Sequence, residues 1–275
     1  MKKRKPKHNN SLLLTVIVII LAIMATIIIL NRPKKVVPIK IIKKKPEIMQ
    51  VALGPKIAFV LDDWGYNLKN EKFIKDKNMP FTLAILPNLK YSTTVAKLAY
   101  AHNKEIVLHL PLEPKNKQDG ALENNTILTT MDKDKIQSIL INDLKTVPHA
   151  KGASNHQGSR ATEDEKIMAY IFNIIKKRNL YFLDSRSTQD SICRELSKKM
   201  KVRFAERAVF IDNKNELDYI KSQIRQLMRI AKVRKAAIGI GHDRELTLQA
   251  IKEMLPEIKK QGIKLVFVSQ ILKKW

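Results

Sequence analysis

Two adjacent carboxylates, Asp62 and Asp63, directly follow a short apolar run in the segment "IAFVLDDWGY". A pair of acids in this position can be a solvated turn. Acids that leave a buried strand together more often bind a cation or transfer a proton, because the strand fixes them at the edge of a sheet where ligands bind. The pair therefore predicts a metal-binding or acid–base role.

Three histidines lie in comparable positions: His109 in "VLHLPLEP", His156 in "NHQGSR" and His242 in "GIGHDREL". Singly, each has an ordinary explanation, as a core histidine, a loop histidine or a helix cap. Together with the carboxylates they offer more, because two neutral imidazoles and one carboxylate are a common ligand set of catalytic zinc and leave one position for water. A second carboxylate can then serve as a base and a third histidine as an acid.

The elements that must position these side chains are short apolar runs separated by helical segments. Most of the runs are apolar on both faces, as buried parallel strands are. They cover residues 57–61, 81–86, 105–110, 151–155, 180–184, 203–211, 236–240 and 264–269. Strands that alternate with helices predict an α/β fold, specifically a distorted (β/α) barrel of seven strands, with a doubly wound open sheet as the alternative.

The polar residues fall at the carboxyl ends of these runs. Besides the acids and histidines already named, they include Asn155, Asp184, Arg186 and Arg207. In barrels and open sheets alike, this edge holds the active site. Arg160, close behind His156, is expected either to fix its loop or to meet substrate oxygens.

One helix between the runs has a clear amino-terminal signal. Thr162 and Glu165 match a capping box, and acidic residues lead the segment while basic residues end it at Arg178. We therefore expect a helix over 162–178.

Composition limits the remaining possibilities. The chain has 275 residues and a formal net charge of +26, and its lysines are spread over many segments, so we predict no nucleic-acid partner. The single cysteine, Cys193, excludes an intramolecular disulfide and is expected to be a buried structural thiol. Nothing in the sequence determines the oligomeric state.

The amino-terminal region has a different composition. Residues 1–11 form a basic tail, and residues 12–30 form an uncharged apolar run close to the ~20 residues that span a bilayer. Residues 31–55 form a linker rich in proline and lysine, and residues 56–275 form the folded domain. This pattern predicts a single-pass protein of the cytoplasmic (inner) membrane, with 12–30 as an uncleaved transmembrane signal-anchor and the domain outside the cytoplasm.

The motifs, taken in order, resemble the divergent polysaccharide deacetylase family of bacteria, a distant branch of the glycoside hydrolase/deacetylase-like barrels. The resemblance covers residues 56–275 and is carried by "IAFVLDDWGY", "LAILPN", "EIVLHLPLEP", "NHQGSR", "YFLDSRS" and "GIGHD". In combination these motifs are specific, although any one of them would be weak.

The resemblance implies a role for each site residue. Asp62 would be the catalytic base, with Asp63, His109 and His156 as ligands of a divalent metal, expected to be Zn²⁺. His242 would protonate the leaving amine. Candidate substrate-binding residues are Asn155, Arg160, Asp184, Arg186 and Arg207.

The implied function is a metal-dependent hydrolase that removes N-acetyl groups from a cell-envelope polysaccharide or glycan. The alternative is a non-catalytic envelope protein that keeps the barrel and binds a glycan or a protein partner.

Overall fold

The computed structural model describes residues 10–31, 54–116, 122–273 and 275. Contacts divide the chain into a unit of Met1–Val51 and a unit of Ala52–Trp275. The described part of the first unit is one helix, α1 (Asn10–Leu30). Most of the predicted tail 1–11 and linker 31–55 lies outside the described residues.

The predicted location in the cytoplasmic membrane is wrong. A bilayer span requires ~20 consecutive apolar residues in one helix. Within the described part of the chain, no helix combines the length and the apolar character needed to cross a membrane. A single-pass anchor at 12–30, and with it the inner membrane as a partner, is therefore not supported.

The second unit alternates strands and helices along the chain. Its strands are β1 (Lys56–Trp64), β2 (Thr82–Ile85), β3 (Glu105–Leu112), β4 (Gly152–Gln157), β5 (Tyr181–Asp184), β6 (Phe204–Glu206), β7 (Val209–Phe210), β8 (Ala236–His242) and β9 (Lys264–Leu265). Its α-helices are α2 (Glu71–Lys75), α3 (Ser92–Ala101), α4 (Lys133–Thr146), α5 (Glu165–Lys177), α6 (Cys193–Met200), α7 (Leu217–Arg234) and α8 (Glu245–Lys260).

The strands form one parallel sheet in the order β6-β5-β4-β3-β2-β1-β8-β7, and β9 pairs with β1. This is a half-barrel consistent with a (β/α) barrel of eight strands, so the predicted barrel class is confirmed and the count of seven is not. The count differs because the predicted strand 203–211 changes partner midway. The amide of Arg207 donates to the carbonyl of Asp184 in β5, whereas the amide of Ala208 donates to that of Ile238 in β8.

The alternation of side chains along each strand separates two apolar layers. Odd positions of β1, such as Ile57 and Phe59, pack in the large cluster that includes the helices. Even positions, Ala58 and Val60, belong to a smaller cluster with alternate residues of the neighbouring strands. We identify this smaller cluster as the barrel interior, since Val268 of the carboxyl-terminal segment packs into it.

A buried carboxylate ties that carboxyl-terminal segment to the barrel. Glu105 Oε1 accepts hydrogen bonds from Thr82 Oγ1 at 3.0 Å, Tyr181 Oη at 2.9 Å and the Ser269 amide at 3.0 Å. Three donors to Oε1 offset part of the cost of burying the acid, while Oε2 is buried without a hydrogen bond among the described residues.

The start of α5 differs from the predicted capping box. The helix begins at Glu165, and the side chain of Asp164 accepts a hydrogen bond from the Ile167 amide at 2.9 Å. Thr162 lies in a short 3₁₀ turn, where its hydroxyl donates to the carbonyl of Gly158. Asp164 is the stronger cap because its carboxylate also interacts favourably with the helix dipole.

Cys193 is fully buried, as predicted. Burial raises the pKa of its thiol well above the ordinary value, which disfavours the reactive thiolate.

Because Asp143 in α4 is buried, we expect the free energy of unfolding to depend measurably on pH. Burial raises the pKa of Asp143 to about 6, although Asn88 donates a hydrogen bond to it. The protonated form is favoured in the folded protein, so this contribution is present at low pH and is lost as pH rises through about 6. We expect the free energy of unfolding of wild type, relative to Asp143→Asn, to fall by about 1 kcal/mol between pH 5 and pH 8. Urea unfolding of both proteins at the two pH values measures it, and a constant difference would contradict it.

Candidate metal centre and active site

Both adjacent aspartates reach the site because the end of β1 is irregular. Asp62 continues the interior-facing series of Ala58 and Val60 and is buried. A regular strand would turn Asp63 to the opposite face. Instead Asp63 has φ 66°, and the pairing of β1 with β2 shifts between Leu61 and Trp64. A left-handed aspartate is locally unfavourable, which is typical of functional positions.

The two histidines come from neighbouring strands. In β3, His109 lies on the same face as interior-facing Val107, and in β4, His156 pairs in register with Pro111. His109 Nε2 lies 3.3 Å from His156 Nδ1 and 3.4 Å from Asp63 Oδ1, and His156 Nδ1 lies 3.3 Å from the same oxygen. Asp63, His109 and His156 thus present one ligand atom each to a common point.

This triangle fits a tetrahedral metal. Three ligand atoms at ~2.0–2.2 Å from one tetrahedral ion lie ~3.3–3.6 Å apart, which matches the three observed separations. Two carboxylate oxygens, Asp63 Oδ1 and Asp62 Oδ1, are buried and make no hydrogen bond among the described residues. Buried unpaired carboxylate oxygens are costly unless a cation satisfies them.

A contact on the far side of the ring also fixes the orientation of His109. Its Nδ1 lies 2.9 Å from Ser154 Oγ. A proton on Nδ1 donated to this hydroxyl leaves Nε2 unprotonated and directed at the triangle, which is the usual support of a metal-binding histidine.

The two aspartates differ electrostatically. Burial raises the pKa of Asp62 above its ordinary value, and the negative charge of Asp63 adds to this while the imidazoles oppose it. Burial alone would also raise the pKa of Asp63, but the imidazoles of His109 and His156, within 3.4 Å of its Oδ1, outweigh it and lower the pKa. A carboxylate with a raised pKa suits a base and one with a lowered pKa suits a ligand.

His242 is paired with a carboxylate that the sequence analysis did not single out. His242 Nδ1 lies 2.9 Å from Asp212 Oδ1, and the His242 amide donates to Asp212 Oδ2 at 2.8 Å. Asp212 is fully buried and also accepts from Thr247 Oγ1 at 2.7 Å. Burial lowers the pKa of His242, but Asp212 outweighs it and raises the pKa, which favours the imidazolium. The position of Asp212 at the end of the run 203–211 was the available signal.

The predicted base, the three predicted metal ligands and His242 line one cavity of about 160 Å³. Its lining includes Asp62, Asp63, His109, Asn155, His156, Gln157, Ser185, Ser187, Phe210 and His242. The structure therefore brings the predicted base, ligands and acid together with one predicted substrate-binding residue, Asn155. The Asn155 amide is already engaged, since Oδ1 accepts from the Ser185 amide at 2.8 Å and Nδ2 donates to the Gln157 carbonyl at 2.8 Å.

The other predicted substrate-binding residues do not line this cavity. Arg160 lies 3.6 Å from Glu113. Asp184 has the opposite strand parity to interior-facing Leu183, and its carboxylate accepts from the Arg186 amide at 2.7 Å. Arg186 and Arg207 line a separate cleft.

Comparison with known proteins agrees with the motifs. The model of the divergent polysaccharide deacetylase family matches residues 59–272. The chain belongs to this family. Among curated relatives, the uncharacterized protein YibQ of Escherichia coli (strain K12) is 31% identical over 221 residues, covering 80% of this chain and 68% of YibQ.

Solved structures show how this family member is related in fold. The uncharacterized protein ATU2773 from Agrobacterium tumefaciens C58 superposes with a TM-score of 0.75 at 23% identity, covering 79% of this chain and 89% of that one. A mutant of BA3943, described as a CE4 family pseudoenzyme with restored enzymatic activity, superposes with a TM-score of 0.53 at 16% identity, covering 79% and 67%. These likenesses show a shared fold, and fold alone does not establish activity.

Proposed function

We propose that this member of the divergent polysaccharide deacetylase family is a metal-dependent hydrolase that removes acetyl groups from an N-acetylated polysaccharide or glycan. One observation carries the proposal: the triangle of Asp63, His109 and His156 lies in the same cavity as Asp62 and as His242, which is paired with Asp212. That combination supplies a ligand set, a base and an acid.

Asp63, His109 and His156 would hold the cation, and Zn²⁺ is proposed because one carboxylate and two imidazoles suit it. A bound divalent cation would polarise the acetyl carbonyl and lower the pKa of a water molecule. Among the chain's own residues, Ser154 orients His109, and burial of Asp62 keeps its carboxylate basic.

The proton transfers follow from the positions of Asp62 and His242. As water adds to the acetyl carbonyl carbon, an Asp62 carboxylate oxygen accepts the proton that the water loses. The C–N bond then breaks, its electron pair stays on nitrogen, and Nε2 of protonated His242 donates a proton to the departing amine. Acetate and a free amino sugar result.

Asp212 keeps His242 ready for this step. It fixes Nδ1 as the hydrogen-bonded nitrogen, which leaves Nε2 facing the cavity, where it lies 4.0 Å from Asp63 Oδ2. Asn155 is proposed to act by holding the loop at Ser185, and Asp184 by ordering the turn at Arg186.

The direct test of the proposal is release of acetate from N-acetylated glycan fragments by the zinc-loaded protein. The proposal predicts stoichiometric acetate and new amino groups. If the protein holds zinc and binds such a fragment but releases no acetate from any of them, the non-catalytic binding protein becomes the better description.

Loss of the proposed acid, His242, should slow hydrolysis of an amide substrate much more than hydrolysis of an ester substrate. We expect His242→Ala to slow acetate release from an N-acetylated fragment by ~10²–10⁴-fold, because the leaving amine needs a proton. An aryl acetate has a better leaving group, so its hydrolysis should fall much less. Parallel assays of both substrates, with metal content determined, measure the difference.

Asp212→Asn is the conservative companion variant. Loss of the carboxylate lowers the pKa of His242, so the alkaline limb of the amide pH profile should move to lower pH. Equal losses on both substrates with an unchanged pH profile would contradict the role of His242 as the acid.

A further inference from the structure

A cationic cleft lies where the sheet path ends, outside the proposed active site. It is bordered by β6, β8, α6 and the last residue of α7 and comprises two cavities of about 470 and 340 Å³ that share the lining residues Arg194, Glu206, Arg207, Ala208 and Arg234. Its basic residues are Arg186, Arg194, Arg207, Arg234 and Lys273. Glu206 is the carboxylate among the described residues that line it, which leaves four positive charges in excess.

Glu206 is already satisfied by its own neighbours. It forms a two-point contact with Arg194, and its Oε1 accepts from Lys273 Nζ at 3.0 Å. Arg186 Nη1 lies 4.0 Å from its Oε2. One carboxylate cannot neutralise three cations, so the cleft retains a net positive charge that favours binding of a further anion.

Two arginines lack a carboxylate partner. Arg207 is half-buried; its Nε donates to the Ser185 carbonyl at 2.6 Å and its Nη2 to the Arg186 carbonyl at 2.8 Å. Across the described residues, neither Arg207 nor Arg234 has a carboxylate within 4.0 Å. Of the two, Arg207 is partly buried and Arg234 is exposed, so the missing counter-ion is unfavourable chiefly for Arg207, which a ligand that supplies negative charge would stabilise.

The shape of the cleft leaves room for such a ligand. Four of the residues that line it, Ala205, Ala208, Ala236 and Ala237, have small side chains. The cleft also shares a loop with the proposed active site. Ser185 and Ser187 line the catalytic cavity, whereas Arg186 and Thr188 line the cleft.

We infer that this cleft is a binding site for a phosphoryl group, either free or carried on a sugar. Guanidinium groups match the paired oxygens of phosphate, and several of them converging on one concavity favour a multiply charged oxyanion over a single carboxylate. Burial lowers the pKa of Arg207 to about 10, which leaves it charged at neutral pH. The inference goes beyond the proposed deacetylation and does not depend on it.

Calorimetric titration of the full-length protein with inorganic phosphate and with N-acetylglucosamine 6-phosphate tests this assignment. We expect binding of at least one of them at a fixed moderate ionic strength, which screens the general attraction of a +26 chain. Arg234→Gln should weaken binding about tenfold, and Arg186→Gln combined with it should weaken binding further. Tighter binding of the sugar phosphate would identify a phosphorylated glycan as the source, and equal binding would identify the phosphoryl group alone.

Arg229→Gln is the matched control, because Arg229 is an exposed residue of the same helix that does not line the cleft. It should change the affinity less than twofold. His109→Ala should retain phosphate binding, since its site is elsewhere. The inference is overturned if neither ligand binds, if Arg229→Gln weakens binding as much as Arg234→Gln, or if His109→Ala abolishes binding while Arg234→Gln does not.

Discussion

His109→Ala is expected to abolish stoichiometric zinc binding by a protein that remains folded. His109 supplies the buried nitrogen of the triangle, 3.4 Å from Asp63 Oδ1 and 3.3 Å from His156 Nδ1. Without it, two ligand atoms remain, and catalytic zinc sites ordinarily use three protein ligands. The affinity should fall by more than the ~10–100-fold that loss of an outer hydrogen-bond partner produces.

Competition with a chromophoric chelator measures zinc affinity without reference to activity. His149→Ala is the matched control, because His149 is exposed and stacks on Tyr100 away from the site. Ser154→Ala should give the intermediate loss of ~10–100-fold, since it removes only the partner of His109 Nδ1.

Because His109 is buried, its removal can also disturb folding. Asp63→Asn nearly preserves volume and should weaken zinc binding as well, so it serves as the second variant. Stoichiometric, tight zinc binding by folded His109→Ala and Asp63→Asn proteins would place the metal elsewhere. Failure of the wild-type protein to bind zinc at all would remove the metal from the proposal.

Asp62→Asn is expected to retain zinc yet lose acetate release by ~10²–10⁴-fold, the usual contribution of a positioned base. Its Oδ2 lies 3.5 Å from His109 Nε2, but Asp62 does not belong to the triangle of converging ligand atoms. The raised pKa of Asp62 and the lowered pKa of Asp63 give the physical reason for dividing the roles this way.

The measurement pairs acetate release with zinc content for Asp62→Asn and Asp63→Asn. If Asp62→Asn loses zinc while Asp63→Asn keeps it, the two roles are exchanged. If both variants keep zinc and full turnover, neither aspartate has the proposed role. Asp132→Asn, which removes a carboxylate that caps α4 away from the site, controls for the change in charge.

Local pattern was sufficient to predict the barrel class and most of the residues that meet in the candidate site. Buried parallel strands are apolar on both faces, so the runs that precede Asp62, His109 and His242 were recognisable as strands. The carboxyl ends of parallel strands meet at one edge of the sheet. Because side chains alternate between the two faces of a strand, the pattern also predicts which of them face the barrel interior. Asp62 follows the interior parity of Val60, and His242 follows that of Ile240.

Features that depend on distant contacts could not be obtained in this way. Asp63 reaches the triangle only through its positive φ and the irregular pairing of β1 with β2. The pairing of Asp212 with His242 depends on the fold, which brings these residues, 30 positions apart in the chain, within 2.9 Å of each other. The apolar run 12–30 likewise suggested a membrane span, which the described helices do not support.

The sequence alone determined which residue types are available for chemistry and at which ends of which strands they lie, because hydrophobic periodicity is a local property. The tertiary structure decided which of them meet. Arg186 and Arg207 resembled substrate-binding residues of the active-site edge, yet they line the cleft where the sheet path ends. For Arg207 the cause is the partner change within 203–211, which sets it between β5 and β8 and depends on pairing between residues far apart in the chain.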